Sequence, residues 1–419
     1  MNVRWPRLKR LSVNTMNKEE LELYFKERNY PTYERNQYDK FLSDFHYEFS
    51  IPSIHITGTN GKGSTAYYLY QIYLKKGYKV GLYNSPYLND VTEMISINGK
   101  QIEFDEYLAQ FLALKNDFEK YGLSSFEMQT IVAFELFKKA NLDLVIIEVG
   151  MGGYIDATNI IIPMLSIITS ISLEHTSYLG GTTSEIAYNK SGIIKENVPV
   201  LTGKMDEFAL YAIRETAKKL HAPVHVVSEY FNEQIIDGVA CFNSQKLKDV
   251  RLRTPALYQV KNACLAIDAV KLCNDKFFVD DETLKLGLKT ATLPCRFEYI
   301  EKHIMVDGAH NPEAMQNLVD SLKASVNVPI HAIFASFRDK NFSHMLNILD
   351  TVTTDITITT FNHKRAKTED EYFLFLSTYK FDADYLGKIA QLRQDHPDDL
   401  ILITGSLHFA GLVKRELKK

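Results

Sequence analysis

Cysteine is scarce in this chain of 419 residues, and its four cysteines are Cys241, Cys264, Cys273 and Cys295. Their positions lack the close spacing of metal ligands. We therefore expect scattered reduced thiols, which is the state that cysteines keep in the cytoplasm.

Long apolar runs are also missing, since no stretch approaches the length of a membrane span. The start, Met1 to Arg10, is basic, but no apolar segment follows it, so we expect no secretory signal. A formal net charge of −4 argues against a general nucleic-acid or membrane-surface binder. These absences predict a cytoplasmic protein with no nucleic-acid partner and no membrane attachment.

What is present is an ordinary globular composition, with 45% hydrophobic and 24% charged residues. The length predicts two or more domains. Apolar runs alternate with helical segments, which predicts two α/β domains with mostly parallel sheets and a cleft between them. Residues 229–253 predict a small antiparallel hairpin, and residues 291–296 a linker in which Pro294 breaks the preceding helix. Strands are predicted at 79–83, 142–149, 164–170, 198–201, 224–227, 303–306, 330–334, 355–360 and 400–404, and helices at 18–28, 66–76, 104–121, 126–140, 184–194, 312–324 and 342–349.

The most informative segment is a glycine-punctuated turn between an apolar run and a helical stretch. The apolar run ends at Thr57, and the helical stretch is stopped by Gly77. In this arrangement backbone N–H groups and the helix N-terminus face one point, where they bind phosphate. Lys62 adds a positive charge that can reach the outer phosphates. The residues predicted to bind a nucleoside triphosphate are Thr59, Asn60, Gly61, Lys62, Gly63 and Ser64.

A tight surface turn is the simpler interpretation of the glycines alone. The preceding strand, Lys62 and the following helix favour phosphate binding instead. Gly63 follows the lysine where the Walker A pattern has Ser or Thr. The hydroxyl that usually holds Mg²⁺ is therefore displaced or absent, and another part of the chain is expected to complete the metal site.

Candidate metal ligands stand at the ends of two other predicted strands. Glu148 lies at the carboxyl edge of strand 142–149, where ligands bind in open α/β sheets, and Mg²⁺ prefers oxygen ligands. The alternative is a solvated glutamate, but the glycines at 150–153 indicate a close backbone approach behind it. Ser85 follows strand 79–83 and can supply the missing hydroxyl, although Ser-Pro alone is only a turn signal.

Two further polar residues are weaker candidates. His175 follows the strand at 164–170; a lone histidine is more often structural, and its interest comes from its place at a third strand end. Lys190 lies in the helix at 184–194 among apolar positions, and burial there would lower its pKa towards a reactive neutral amine. A surface lysine is the alternative, and the sequence alone favours it.

The second half of the chain offers nucleotide-binding candidates. Asp307 ends a strand and can accept hydrogen bonds from ribose hydroxyls or a phosphate-bridging group, or else cap a helix. Gln259 and Asn262 can read an adenine edge, and Arg296 in the linker can clamp phosphates from the opposite domain.

In this order, these segments closely resemble the folylpolyglutamate synthase/dihydrofolate synthase branch of the Mur ligase family. The resemblance runs from about residue 20 to the C-terminus. The matching segments are 57–64, 85–88, 148–153, 156–159, Glu174-His175, 179–180, 190–195, Gln259 with Asn262, 296–298, 307–312 and 404–407.

The resemblance implies an α/β fold of two domains. Residues 1–290 would form a P-loop ATPase domain with a mostly parallel sheet, and residues 297–419 a smaller, Rossmann-like ligase domain.

By the same resemblance, the enzyme would be an ATP-dependent acid–amino-acid ligase. ATP would phosphorylate a substrate carboxylate to an acyl phosphate, the amine of L-glutamate would attack it, and an amide, ADP and phosphate would result. The other substrate would be a folate or dihydropteroate. The family comparison also implies a monomer.

The resemblance assigns roles to the candidate residues as well. Ser85, Glu148 and His175 would hold a first Mg²⁺, and Lys190, carbamylated on its amine, a second. The catalytic groups would be Lys190, His175, Glu148 and His310. The residues that contact ATP across the cleft would be Asn262, Arg296 and Asp307. The residues that contact the substrate would be Asp156, Ala157, His310 and Ser406.

Several positions depart from the family pattern. Tyr154 and Met94 stand where the family has arginines, which leaves the identity of the acid substrate open. Dihydropteroate, folylmonoglutamate, both of them, or a different acid remain alternatives, and so does an inactive ATP-binding relative. The other departures are Glu174, Asn189, Tyr258 and Cys295.

Overall fold

The computed structural model of the protein describes residues 16–28, 35–88 and 90–418. Its architecture is α/β, and helices connect the strands of mostly parallel sheets. The α-helices in the described residues are α1 (Lys18–Glu27), α2 (Asn36–Asp44), α3 (Lys62–Lys76), α4 (Phe104–Tyr121), α5 (Ser125–Lys139), α6 (Thr176–Leu179), α7 (Thr183–Lys190), α8 (Glu207–Lys219), α9 (Tyr258–Cys273), α10 (Asp281–Thr290), α11 (Pro312–Ser325), α12 (Phe342–Leu349), α13 (Tyr385–Asp395) and α14 (Leu407–Glu416).

The strands of the described residues form three sheets. They are β1 (Ser53–Thr57), β2 (Val80–Tyr83), β3 (Ile95–Ile97), β4 (Lys100–Gln101), β5 (Leu144–Glu148), β6 (Leu165–Ile168), β7 (Val200–Thr202), β8 (Val224–Val226), β9 (Tyr230–Ile236), β10 (Val239–Ser244), β11 (Val250–Arg251), β12 (Glu298–Glu301), β13 (Ile304–Val306), β14 (Ile330–Phe334), β15 (Asp355–Ile358), β16 (Lys380–Phe381) and β17 (Leu400–Thr404).

The first of two compact units takes the described residues up to Val227 and returns for Leu265–Gly287. Its eight strands lie in the order β4-β3-β2-β5-β1-β6-β7-β8. From β2 to β8 all neighbours are parallel, while β3 and β4 are antiparallel additions at one edge. Every residue of β1 and β5 is buried, as expected for strands covered on both faces. The carboxyl ends of β5, β1 and β6 therefore meet at one edge of the sheet.

Glycine sets both ends of the helix that follows β1. Gly61 has a left-handed φ of 88° and precedes α3, and Gly77 has a φ of 97° and ends it. The helix begins at Lys62, so the predicted start at residue 66 was wrong. The lysine consequently stands in the first turn of the helix, where the backbone N–H groups are unpaired within the helix.

The second compact unit comprises Ser228–Cys264 and the described residues from Leu288 onwards. Its main sheet has the order β12-β13-β17-β14-β15-β16, and only the β12–β13 pair is antiparallel. The core packs apolar side chains of β14 and β17 against α11 and α12. A separate antiparallel sheet, β11-β10-β9, covers the segment predicted as a hairpin and adds a third strand to it.

The predicted elements agree with the structure best where the apolar pattern is regular. The α/β class is confirmed, and α4, α12, β14 and β17 have the predicted bounds. The helix predicted at 184–194 was wrong at its end, because α7 stops at Lys190 and a 3₁₀ turn follows. All four cysteines are free and buried. No helix among the residues that the structure describes has the length and apolarity needed to cross a membrane.

Candidate active site

The loop between β1 and α3 has the shape of a phosphate-binding loop. Gly58 has a φ of 150° and Gly61 a φ of 88°, and these turns bring the chain into the first turn of α3. The Lys62 Nζ donates to the carbonyl oxygens of Gly58, at 3.0 Å, and Thr59, at 3.3 Å. The ammonium therefore lies over the loop, next to the helix N-terminus that would bind an anion.

Hydroxyl groups that follow β6 hold this loop in place. Thr169 Oγ1 donates to the carbonyl oxygen of Asn60 at 2.6 Å, and Ser170 Oγ accepts from the Asn60 N–H at 2.9 Å. The N–H of Thr59 donates to the Ser170 carbonyl at 2.9 Å, and the Ser172 N–H donates to Thr59 Oγ1 at 3.1 Å. We did not identify these residues from the sequence, because their role depends on β6 lying beside β1.

Gly58 is the position of the loop at which a side chain fits least. A Cβ atom there would lie 2.0 Å from Thr169 Oγ1, and the φ of 150° disfavours other residues. We expect Gly58→Ala to lower the free energy of unfolding by about 1–3 kcal/mol, as overpacking does. ATP affinity should fall as well, because Thr169 must move away from the loop. Urea unfolding and ATP titration would measure the two effects.

Gly77→Ala is the matched control for this substitution. Gly77 also has a left-handed φ, of 97°, but a Cβ atom there would meet no other atom within 4 Å. It therefore measures backbone strain without the clash. Equal destabilisation of the two variants, or unchanged ATP affinity in Gly58→Ala, would contradict the assignment.

Glu148 lies directly beside the phosphate loop. It ends β5 and is 4% exposed. A Cβ atom on Gly63 would lie 3.3 Å from Glu148 Oε2, tighter than an ordinary contact. The carboxylate thus takes the space that a larger residue would need, which gives a physical reason for glycine after Lys62.

Ser85 lies against the same carboxylate. Its backbone N–H donates to Glu148 Oε2 at 3.4 Å. Its Oγ is buried and has no hydrogen-bond partner among the residues that the structure describes. An unpartnered hydroxyl oxygen beside a buried carboxylate is a donor set that fits Mg²⁺, which prefers oxygen ligands.

Lys190 is the last residue of α7 and is only 4% exposed, so the alternative of a surface lysine was wrong. Its Nζ donates to the carbonyl oxygen of Gly58 at 2.9 Å, the oxygen that also accepts from Lys62. Burial, and next the charge of Lys62, lower the pKa of Lys190 to about 7. Glu174 opposes this shift through its negative charge.

His175 stands on the segment after β6 and directly precedes α6. It has a left-handed φ of 51° and is half-buried. Its position after a strand that borders β1 agrees with the predicted placement at a third strand end.

The glycines after Glu148 allow the close backbone approach that the sequence predicted. A Cβ atom on Gly153 would lie 2.6 Å from the Lys190 carbonyl oxygen, and one on Gly192 would lie 2.4 Å from the Tyr154 Cα. The two segments are also joined by the Tyr154 N–H, which donates to the Asn189 carbonyl at 3.1 Å. This contact positions the end of α7, and with it Lys190.

Asp156 and Ala157 belong to the same loop and are both buried. The Asp156 carboxylate accepts from the N–H groups of Met151, at 3.0 Å, and Thr158, at 2.9 Å. Burial raises the pKa of Asp156, and these hydrogen bonds oppose the rise. The Ala157 carbonyl accepts from the Tyr38 hydroxyl at 3.1 Å. In this structure both residues thus hold the loop in shape.

A second cluster lies within the other compact unit, around Asp307. Its carboxylate accepts from the Tyr258 hydroxyl at 2.7 Å and from the N–H groups of Phe297 and Ala309, each at 2.8 Å. Burial raises the pKa of Asp307, and the Arg296 guanidinium opposes that rise. The helix-capping alternative was wrong, because Asn311 caps α11.

The other candidates of this unit have local contacts. Arg296 Nη1 donates to the Cys295 carbonyl at 3.0 Å, and the Asn262 side chain donates to Gln259 at 2.9 Å. His310 Nδ1 lies 2.8 Å from the Gly308 carbonyl oxygen, and Ser406 caps α14.

Comparison with known proteins agrees with this geometry. The family model described as the Mur ligase middle domain matches residues 56–270, and the one described as the Mur ligase, glutamate ligase domain matches residues 295–407. A dihydrofolate synthase/folylpolyglutamate synthase of Bacillus subtilis is 33% identical over 396 residues, which cover 89% of this chain and 92% of that protein.

Solved structures show the same similarity. Mycobacterium tuberculosis folylpolyglutamate synthase complexed with ADP matches with a TM-score of 0.87 at 26% identity, over 96% of this chain and 98% of that chain. Escherichia coli FolC in complex with DHPP and ADP matches with a TM-score of 0.86 at 28% identity, over 96% and 97% of the two chains. The chain therefore belongs to the folylpolyglutamate synthase/dihydrofolate synthase branch of the Mur ligase family.

Proposed function

We propose that this protein is an ATP-dependent amide ligase that adds L-glutamate to a folate. The observation that carries the proposal is the convergence of Lys62, Lys190 and Glu148 on one phosphate loop. Phosphoryl transfer between anionic oxygens needs positive charge and positioning more than it needs a general base. The family and the use of ATP by its members support the same conclusion.

The reaction proceeds in two steps. A carboxylate oxygen of the folate or dihydropteroate attacks the γ-phosphorus of ATP, which releases ADP and leaves an acyl phosphate. The amine nitrogen of glutamate then attacks the acyl carbon, loses a proton, and expels inorganic phosphate from the tetrahedral intermediate. Lys62 and the N–H groups at the start of α3 bind the phosphates throughout.

The proposed ligands of a first Mg²⁺ are Ser85, Glu148 and His175. This ion would neutralise negative charge on the phosphates of ATP. The unpartnered Ser85 hydroxyl and the buried Glu148 carboxylate support this assignment.

Lys190 is proposed to hold a second Mg²⁺ as a carbamate. The ammonium would first lose a proton, and the neutral amine nitrogen would then bond to the carbon of CO₂ and lose a second proton. A cation thereby becomes an oxygen ligand with a negative charge. The support is positional, since Lys190 is buried and its Nζ points at the loop carbonyl of Gly58. Burial penalises the charged ammonium and lowers the pKa of Lys190 to about 7, which makes available the neutral amine that reacts with CO₂.

The remaining assignments are also proposals. Residues 1–290 and 297–419 are proposed as the two domains of a monomeric, cytoplasmic enzyme. Catalysis would also involve His310. The proposed ATP contacts are Thr59, Asn60, Gly61, Gly63, Ser64, Asn262, Arg296 and Asp307, and the proposed substrate contacts are Asp156, Ala157, His310 and Ser406.

A related ligase that uses a different acid is the second candidate. Tyr154 is 58% exposed and stacks on Tyr188 with 6.2 Å between ring centroids, so no charge stands there to bind an anionic group. Met94 is buried. These two positions carry arginine in the family pattern. Their replacement would alter which acid the protein recognises and would leave the ligation chemistry unchanged.

A phosphate-release assay tests the function directly. The purified chain is supplied with ATP, Mg²⁺ and either dihydropteroate, tetrahydrofolate or unrelated acids, with and without L-glutamate. We expect release that requires both a folate-type acid and glutamate, with the amide detected by mass spectrometry. Release that needs neither compound would refute the proposal, and release with another acid alone would favour the second candidate.

Arg296 gives a narrower test of nucleotide binding. We expect Arg296→Ala to raise the KM for ATP about tenfold, the effect of losing about 1.4 kcal/mol of binding free energy. Arg393→Ala is the control, because Arg393 forms an exposed ion pair with Glu301. Steady-state kinetics with varied ATP would measure both variants. An unchanged KM in Arg296→Ala would argue against a nucleotide contact.

A further inference from the structure

Two histidines and two aspartates meet at the amino-terminal edge of the six-stranded sheet. His331 is the second residue of β14, Asp355 is the first residue of β15, and the register places them side by side. Asp399 directly precedes β17, and His396 follows the last residue of α13. Asp307 and Ser406 follow the carboxyl ends of strands in this sheet, so the cluster lies at the opposite edge from these candidate site residues.

The spacing of the side-chain atoms is that of metal ligands. His331 Nε2 lies 3.0 Å and His396 Nδ1 lies 3.3 Å from one oxygen, Asp399 Oδ2. The ligand atoms of the three residues all lie within 4.8 Å of one another. Bonds of about 2.0–2.1 Å to a tetrahedral zinc ion place neighbouring ligand atoms roughly 3.3 Å apart.

Asp355 adds an independent feature of a metal centre. Its Oδ1 lies 3.1 Å from His331 Nδ1, the ring nitrogen that does not face Asp399. A histidine that binds a metal usually donates its second N–H to a carboxylate, which fixes the ring and its tautomer. Here Asp355 lies within ion-pair distance of the buried Nδ1, which has no hydrogen-bond partner among the described residues. His331 is only 2% exposed, so its ring is held in this orientation.

An ion-pair network without a metal is the alternative. Under that interpretation His331 and His396, whose ring centroids are 4.2 Å apart, would both contact Asp399 directly. A metal ion accounts for the same distances, because one cation bound by both rings and the carboxylate holds their ligand atoms close together. The His396 side chain is 44% exposed, which leaves an open side for the entry of an ion and for a water ligand.

We propose that His331, His396 and Asp399 bind one divalent transition-metal ion of the Zn²⁺ type, and that Asp355 orients His331. Imidazole and carboxylate donors suit Zn²⁺ better than Mg²⁺, which prefers oxygen ligands. The ion would join the end of α13 to the strands of the sheet. Its role would be to stabilise this compact unit, separately from the ligase reaction.

Titration of the full chain with ZnCl₂ tests the site. The protein is first treated with a chelator and then titrated in excess MgCl₂, so that sites with oxygen ligands are occupied by Mg²⁺. We expect His396→Ala to bind one equivalent of Zn²⁺ fewer than the wild type. Asp355→Asn should keep that equivalent with about 10- to 100-fold weaker affinity, because it loses only the orienting carboxylate. Zn²⁺ should raise the Tm of the wild type more than that of His396→Ala.

His344→Ala is the control, since His344 is an exposed histidine on α12. It should bind as much Zn²⁺ as the wild type. Thermal unfolding in chelator checks that His396→Ala is folded, which its exposed position favours. Equal zinc stoichiometry in the wild type and His396→Ala, or no binding by the wild type, would overturn the proposal.

Discussion

Replacement of Lys190 with alanine is expected to lower kcat at least about 100-fold, the usual effect of removing one group that stabilises charge in a transition state. The Lys190 side chain is buried, and its Nζ contacts the phosphate loop at Gly58. Alanine removes both the amine and the carbamate proposed to form on it. Short carboxylic acids such as formate or acetate should restore part of the activity, because they can supply the missing oxygen ligand. Turnover with and without added acid would be measured by phosphate release.

Lys195→Ala is the matched control for this experiment. Lys195 is also partly buried, and burial lowers its pKa to about 8, but its Nζ contacts the Asn159 carbonyl oxygen at 3.4 Å. It should keep most of the activity and should not respond to formate. Wild-type turnover in Lys190→Ala would exclude a role for this lysine in the reaction.

The second large effect is expected for Glu148→Gln. The amide has nearly the same shape as the carboxylate and can still accept from the Ser85 N–H, so the fold should be retained. It lacks the negative charge that a Mg²⁺ ligand supplies. We expect kcat to fall by about 100-fold and half-maximal activity to need more Mg²⁺. Phosphate release over a range of MgCl₂ concentrations would measure both changes.

Glu135→Gln controls for the removal of a buried charge. Glu135 is 6% exposed and pairs with Lys138 on α5, away from the phosphate loop. Its Mg²⁺ dependence should match that of the wild type. If both variants showed the same Mg²⁺ dependence, Glu148 would not be a metal ligand.

Much of the candidate site could be predicted from the sequence, because its residues stand at the ends of apolar runs that the sequence shows directly. The phosphate loop follows a buried strand, and Glu148 ends another one, so the apolar runs indicated where each side chain would stand. Parallel strands end at a common edge, which brings such residues together. The burial of Lys190 could not be predicted in this way, since it depends on the loop around Gly153 packing on the end of α7.

The remaining differences have similar causes. Helix α7 ends early because Gly192 packs closely against Tyr154, a contact between segments that are far apart in the sequence. Strand β11, Val250–Arg251, is too short to show a periodic pattern. The hydroxyl groups of Thr169 and Ser170 were missed since strand order, rather than local sequence, places them against the loop. Strand order also brings His331 to Asp399, because β14 pairs with β17.

The hydrogen bonds from Thr169 and Ser170 to the Asn60 backbone also affect the thermodynamics of nucleotide capture. Fixing the backbone of one mobile residue costs about 1–2 kcal/mol of conformational entropy. Here that cost is met when the polypeptide folds rather than when ATP arrives. The free energy gained from each phosphate contact therefore remains available for affinity, in the manner of a preorganised receptor.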